Sequence, residues 1–127
     1  MELVPITEDY YDFVRILRMH PKTRSGFIEE AQITEDSQEK YMSKHGKDYY
    51  VCLLYEGTDF CCPVGYIGVI DEDIRLCTAP SHQGLGIGKF MLQQIKTLYP
   101  HATGKIKKNN LASQVIFDSC KIDYKLI

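Results

Sequence analysis

The reading of this chain turns on residues 76–89, LCTAPSHQGLGIGK. The stretch leaves a short run of β-forming residues, Ile74 to Thr78. It then enters a segment in which Ile87, Phe90, Met91, Leu92, Ile95 and Leu98 recur along one apolar face of a helix that Tyr99-Pro100 ends. Between strand and helix stand Gly84, Gly86 and Gly88, on alternate residues. Glycines there let the backbone turn tightly and approach a ligand with no Cβ in the way, while the N–H groups of the first helical turn lack partners inside the helix. Together with the positive end of the helix dipole and the nearby Lys89, they predict an anion site suited to a pyrophosphate. Two familiar phosphate motifs do not fit. A P-loop needs glycine where Gln83 stands and serine or threonine where Phe90 stands; a dinucleotide fingerprint needs glycine at Lys89 or Met91 and the first strand of a parallel unit before it.

Working outward from the loop, residues 49–55 (YYVCLLY) and 64–70 (VGYIGVI) read as strands joined by the turn EGTDF, and the acidic turn IDEDI leads into the strand Ile74 to Thr78. Three strands with tight connections predict an antiparallel meander. Upstream, Glu2 to Thr7 is an extended start that Pro5 confines to an edge. Tyr10, Phe13, Val14 and Leu17 give a first helix over Asp9 to Arg18, stopped by Pro21. A loop, HPKTRSGF, precedes a second helix that opens at Thr34 with Glu35, Asp36 and Ser37 and ends at Gly46. Downstream, Thr103 to Lys107 reads as strand, Leu111 to Phe117 as helix and Asp123 to Ile127 as a last strand. The order βααβββαβαβ predicts a mixed α/β (α+β) domain: a central, mostly antiparallel sheet flanked by helices on both sides.

With 127 residues, 44% of them hydrophobic and 25% charged, the chain has the size of one domain spanning 1–127, with enough core to need no metal or disulfide. A net charge of -2 argues against a partner held by many phosphate contacts, so no nucleic acid is expected. No apolar run approaches the ~20 residues that span a bilayer, and the first residues carry acids where a signal peptide is basic; a cytoplasmic protein without membrane contact is the expectation. The five cysteines, Cys52, Cys61, Cys62, Cys77 and Cys120, form no Cys-x-x-Cys pair and no zinc spacing, so they read as free thiols and no metal site is expected. Cys52, Cys77 and Cys120 lie in apolar stretches and read as small hydrophobes.

The run Gln83-x-x-Gly86-x-Gly88, after a strand ending in Thr78-x-Pro80, resembles the Q/R-x-x-G-x-G/A motif of the GCN5-related N-acetyltransferases, and Asn110-Leu-Ala-Ser113-x-x-x-Phe117 is a second partial match. The order of elements matches that family over nearly the whole chain, which stops about a strand short of many members. The resemblance implies acetyl-CoA as cofactor, released as CoA. The backbone of Gln83, Gly84, Leu85, Gly86, Ile87, Gly88 and Lys89 would hold its pyrophosphate. The strand residues Leu76, Cys77 and Thr78 would splay from the next parallel strand and bind the pantetheine arm, polarising the thioester carbonyl with main-chain groups. Asn110, Ser113 and Phe117 would border the same arm. Lys105, Lys107 and Lys108 either meet the 3′-phosphate or form a solvated face.

The resemblance further implies direct transfer to a primary amine of a small-molecule acceptor, without an acyl-enzyme, and a possibility of homodimers that no sequence segment specifies. Direct transfer needs a base for the acceptor ammonium and some fate for the leaving thiolate. Asp73 and Glu72, with Asp71, are the candidate bases, and equally a solvated hairpin tip. His20 and Glu29 or Glu30 are alternatives, whereas His82, beside the glycine loop, reads as part of that loop's surface. Many members carry a tyrosine acid where Phe117 stands; here Tyr124 or water takes that task, or the thiolate leaves without an acid. The run from Leu17 to Arg24, with Phe27 and residues 33–38, is similar to acetyltransferases of aminosugar nucleotides, which makes Arg18, Arg24 and Glu29 the candidate acceptor-binding residues. As helix-end cations the two arginines would instead complement the dipole. A non-catalytic module for CoA or acyl-CoA with the same fold is the alternative function, and a nucleotide-binding regulator a third.

Overall fold

The computed structural model describes residues 1–23, 26–27, 32–57 and 61–127. The elements follow in the order β1 (Glu2–Pro5), α1 (Tyr11–Met19), α2 (Glu35–His45), β2 (Tyr49–Tyr55), β3 (Cys61–Ile70), β4 (Asp73–Thr78), α3 (Ile87–Leu98), β5 (Thr103–Ile106), α4 (Leu111–Cys120) and β6 (Tyr124–Leu126). The expected order and class are those observed. Most boundaries shift by one or two residues, β3 and α4 by three, while α2 ends at Gly46 as expected. β3 begins at Cys61 rather than Val64, because a register shift opposite Cys52 and Leu53 lets the strand continue past Pro63. α4 runs on to Cys120, where the left-handed Lys121 stops it. Gly46 ends α2 without a left-handed turn, since the chain continues through a 3-10 turn into β2. Of the expected turn EGTDF, Thr58, Asp59 and Phe60 lie outside the described residues.

The six strands form one sheet in chain order. β1 to β4 are antiparallel neighbours, whereas β4–β5 and β5–β6 are parallel, each crossing over through a helix. Alternation sorts the side chains onto two cores. Tyr49, Tyr66, Ile70 and Cys77 pack under Val14 and Leu17 of α1 and Met42 of α2. Cys52, Ile67, Val69 and Ile74 pack under Ile87, Met91, Leu92 and Ile95 of α3 and Phe117 of α4. Sequence-local devices fix the helix starts. Thr34 caps α2 by accepting from Ser37 N while Ser37 Oγ accepts from Thr34 N, and Asn110 Oδ1 caps α4 by accepting from Ser113 N at 3.3 Å. Among the described residues no helix is long and apolar enough to cross a membrane.

Candidate active site

β4 and β5 pair for two residues only, Asp73 with Thr103 and Ile74 with Gly104. Beyond them the strands part, and the resulting gap opens into a cleft of about 1010 Å³ lined by Asp73 to Thr78 on one side and by Lys105 and Ile106 on the other. α3 starts at the head of this cleft. Its N-cap is Gly86, at φ 80°, which provides no side-chain cap; Gly84 is also left-handed, at φ 81°. The first intrahelical bond is from Phe90 N to Gly86 O at 3.0 Å, so the N–H groups of Ile87, Gly88 and Lys89 stand at the helix mouth without helical acceptors. Helices α2 and α4 satisfy that mouth with a side chain, whereas α1 and α3 have no side-chain cap. Gly88 allows the close approach that shapes the wall, since a Cβ there would lie 3.0 Å from Ile116 Cδ1 of α4.

The strand parity divides β4 between the two faces. Ile74 and Leu76 join the α3 and α4 side, and Cys77 packs beneath α1. Arg75 also turns to the α1 and α2 side, donating from Nη1 to Tyr41 Oη at 3.2 Å and lying 3.6 Å from Asp73 Oδ2 through Nε. Cys77 is buried beside Thr23, and burial pushes its thiol up to about 12. It therefore keeps its proton and is no nucleophile at neutral pH. Thr23, itself buried, donates to the carbonyl of Leu17 and lies 3.3 Å from that of His20, pinning the end of α1 over the cleft. Arg18 stacks 4.5 Å above the Phe27 ring.

Most expected cofactor residues meet here: Leu76, Cys77, Thr78, Gln83, Gly84, Gly86, Ile87, Gly88, Lys89, Asn110, Ser113 and Phe117 all line the cleft. Leu85 does not; it is 62% exposed on the outer side of the loop. Phe117 reaches the lining from the core, its ring edge against β5 where a Cβ on Gly104 would lie 2.5 Å from it. The acidic cluster is split. Asp73 lines the cleft, whereas Asp71 and Glu72, both left-handed at φ 52° and 65°, form the hairpin tip and border a separate depression with Asp48 and His101. Glu72 is thus misplaced for proton transfer. Tyr124 is too: it stands edge-on to Phe117 at 5.8 Å, outside the lining, and the neighbouring Asp118 holds its phenol above the ordinary value. His20 Nδ1 accepts from Lys22 N at 3.0 Å and His82 Nδ1 pairs with Ser81 Oγ at 2.8 Å, both outside the lining. Lys105 lines it, while Lys107 and Lys108 give their carbonyls to Gln114 Nε2. Arg18 lines it; Arg24, Glu29 and Glu30 lie outside the described residues. Lys22, Thr23, Arg75 and Asn109 were not anticipated. Arg75 had a legible signal, since it alternates with Asp73 and Cys77 on one strand face.

A family model described as Acetyltransferase (GNAT) family matches residues 11–115. The chain belongs to this acetyltransferase family. GNAT enzymes are N-acetyltransferases that use acetyl-CoA, and this chain is one of them. No curated protein matches it in sequence. In structure it resembles a domain from Methanocaldococcus jannaschii, with TM-score 0.80 at 16% identity over 94% of this chain and 86% of that one. It also resembles the spermidine N-acetyltransferase of Vibrio cholerae, crystallised with CoA and spermine, with TM-score 0.77 at 15% identity over 94% and 78%. A third similar structure is the aminoglycoside 6′-N-acetyltransferase of Acinetobacter haemolyticus, with TM-score 0.58 at 12% identity over 97% and 91%. At these identities the likeness is one of fold. None of it supports the expected similarity to aminosugar-nucleotide enzymes.

Proposed function

We propose that this GNAT chain transfers an acetyl group from acetyl-CoA directly to the primary amine of a small molecule, with Asp73 as base. The observation that carries the proposal is the uncapped mouth of α3 set against the gap between β4 and β5. These features fit the cofactor. The N–H groups of Ile87, Gly88 and Lys89 suit a pyrophosphate, and the main chain of Leu76 to Thr78, with no strand paired to it on the cleft side, suits a polar, extended arm. Lys105 stands where a further phosphate can be met. When bound, acetyl-CoA supplies the activated acetyl group as a thioester.

The chain's own contribution follows from the two faces. The arm enters from the α3 and α4 side, and Asp73, Arg75 and Cys77 present the opposite side to the amine. Asp73, held at Oδ2 by Arg75, takes a proton from the acceptor ammonium, which frees the nitrogen lone pair for attack. Main-chain N–H groups of β4 steady the negative charge that develops on the carbonyl oxygen. Cys77, protonated, stays out of the chemistry, which agrees with direct transfer. Among the described residues no tyrosine lines the cleft, so the chain offers no phenol to a leaving thiol, whose ordinary pKa of about 8.5 lets it depart as thiolate.

That same lack favours the second reading, a CoA-binding module without turnover. Thiol release from acetyl-CoA with a mixed panel of amines, sugar-nucleotide amines among them, separates the two. The proposal expects release that depends on the amine and is abolished by Gly86→Trp; CoA binding with no release across the panel makes the chain a binding module.

A further inference from the structure

The ion pair of Asp73 and Arg75 does not hold itself in place. Its oxygen and nitrogen lie 3.6 Å apart on side chains that are 22% and 39% exposed. Pairs in such settings contribute little, and a long arginine chain loses much rotamer freedom when it is held. A third contact fixes the guanidinium: Nη1 donates to Tyr41 Oη of α2 at 3.2 Å. The Tyr41 hydroxyl lies in turn 2.8 Å from Tyr49 Oη. The Tyr41 ring packs on His45, with centroids 4.7 Å apart, and meets the Tyr49 ring edge-on at 5.9 Å. Tyr49 anchors the series in the core, where it is 2% exposed.

The sheet register explains how a buried tyrosine of β2 comes near an arginine of β4. Tyr49 stands opposite Gly68, and Gly68 opposite Arg75, so the three share one face in a row across β2, β3 and β4. Two strand spacings, about 10 Å, separate the ends of the row. Gly68 leaves that space to the Tyr49 ring: a Cβ at Gly68 would lie 2.6 Å from it. A larger residue there would push the ring off the sheet and draw its hydroxyl from Tyr41.

We propose that Tyr41 and Tyr49 are positioning residues of the reaction, holding Arg75 and, through it, the Asp73 carboxylate in the cleft. This role rests on the reading of Asp73 as base. With Oδ2 facing Arg75, Oδ1 is the oxygen left for the acceptor proton. A base kept in one place meets the ammonium in one geometry, and misplacement by about 1 Å can cost roughly 100-fold in rate. The two hydroxyls themselves take no part in the chemistry.

The test reads Arg75 directly by NMR and needs no acceptor. The chain has four arginines, Arg15, Arg18, Arg24 and Arg75, so in nitrogen-15-labelled protein the Arg75 Nε–H signal is assigned by its loss in Arg75→Lys. Its order parameter should be near that of rigid backbone, about 0.85, in the unmutated protein and fall below about 0.6 in Tyr41→Phe and in Tyr49→Phe. Each substitution removes one oxygen and keeps the ring, and either variant alone suffices if the other does not fold. Turnover of acetyl-CoA with the mixed amine panel is followed in parallel. Tyr41→Phe should lower kcat by about tenfold, leave the Kd for CoA unchanged, and lower the rate no further when added to Asp73→Asn, because both act on one group. A rigid Arg75 in both variants would overturn the proposal, as would unaltered kcat in both, or the same loss repeated in full on Asp73→Asn. Unaltered turnover by Asp73→Asn would instead overturn the reading of Asp73 as base, and no turnover with any amine the transferase reading. In either case the Arg75 signal alone decides whether the two tyrosines hold it.

Discussion

Gly86 and Gly57 share a backbone conformation and differ in what stands beside them, so the same substitution at both separates strain from function. Gly86 sits at φ 80° and Gly57 at φ 79°, and a Cβ built on either meets nothing within 4 Å. Alanine at each therefore carries the left-handed penalty without a collision, about 1–2 kcal/mol. Gly57 belongs to the segment after β2, away from the cleft; Gly86 is the N-cap of α3. Relief of strain at Gly86 turns the first N–H groups of α3 from their line into the cleft. Losing one hydrogen bond to a phosphate oxygen costs about 1.5–3 kcal/mol, or roughly 10- to 150-fold in Kd. Urea unfolding should show similar losses of stability for Gly86→Ala and Gly57→Ala. Calorimetric CoA titration should show weakened binding for Gly86→Ala alone. Wild-type CoA affinity in Gly86→Ala, with its stability lowered as in Gly57→Ala, would refute the assignment of the α3 mouth as the phosphate site.

Asp73→Asn should lower kcat at neutral pH by about 100-fold or more while leaving CoA affinity unchanged, as expected for loss of a general base; an unaltered pH–rate profile would return Asp73 to a purely structural partner of Arg75. Stability should fall as pH rises from about 9 towards 12. The Cys77 thiol goes from an ordinary 9.0 to about 12 through burial, so over that window the unfolded chain loses a proton that the folded chain keeps. The slope from this one group is about 1.4 kcal/mol per pH unit, full stability being present below the unfolded value, and Cys77→Ala should remove that share of the slope in urea unfolding at two alkaline pH values. Tyr49 and Tyr66, also raised by burial, act in the same sense at higher pH. Asn110→Ala should cost about 1 kcal/mol through loss of the α4 cap, read from the denaturation midpoint.

Element order was legible because most segments announce themselves locally: Thr34 with Ser37 at one helix start, the alternating glycines at another, β-formers in YYVCLLY. The cofactor side of the cleft was legible for the same reason, since it is built from backbone in a contiguous run. The acceptor side was not. Asp71, Glu72 and Asp73 are neighbours in sequence, yet a two-residue turn with both φ positive sends the first two to the hairpin tip and leaves the third in the cleft. Phe117 and Tyr124 look equivalent as aromatic residues near the end of the chain. α4 brings one into the lining, while β6 keeps the other outside it, beside Asp118. Arg75 shows its strand face by alternating with Asp73 and Cys77, but its contact with Tyr41, 34 residues earlier, has no local pattern to show it.

In the proposed reaction an acetyl group passes from the cofactor to an amine with no stop on the protein. This is tested most directly by incubating the protein with isotopically labelled acetyl-CoA and the amine panel and weighing both products and protein by mass spectrometry. Direct transfer predicts labelled acetyl on the amine nitrogen, one CoA released for each, and an unchanged protein mass. Label retained on the protein, at Cys77 or elsewhere, or CoA bound with no acetylated amine from any member of the panel, would contradict it.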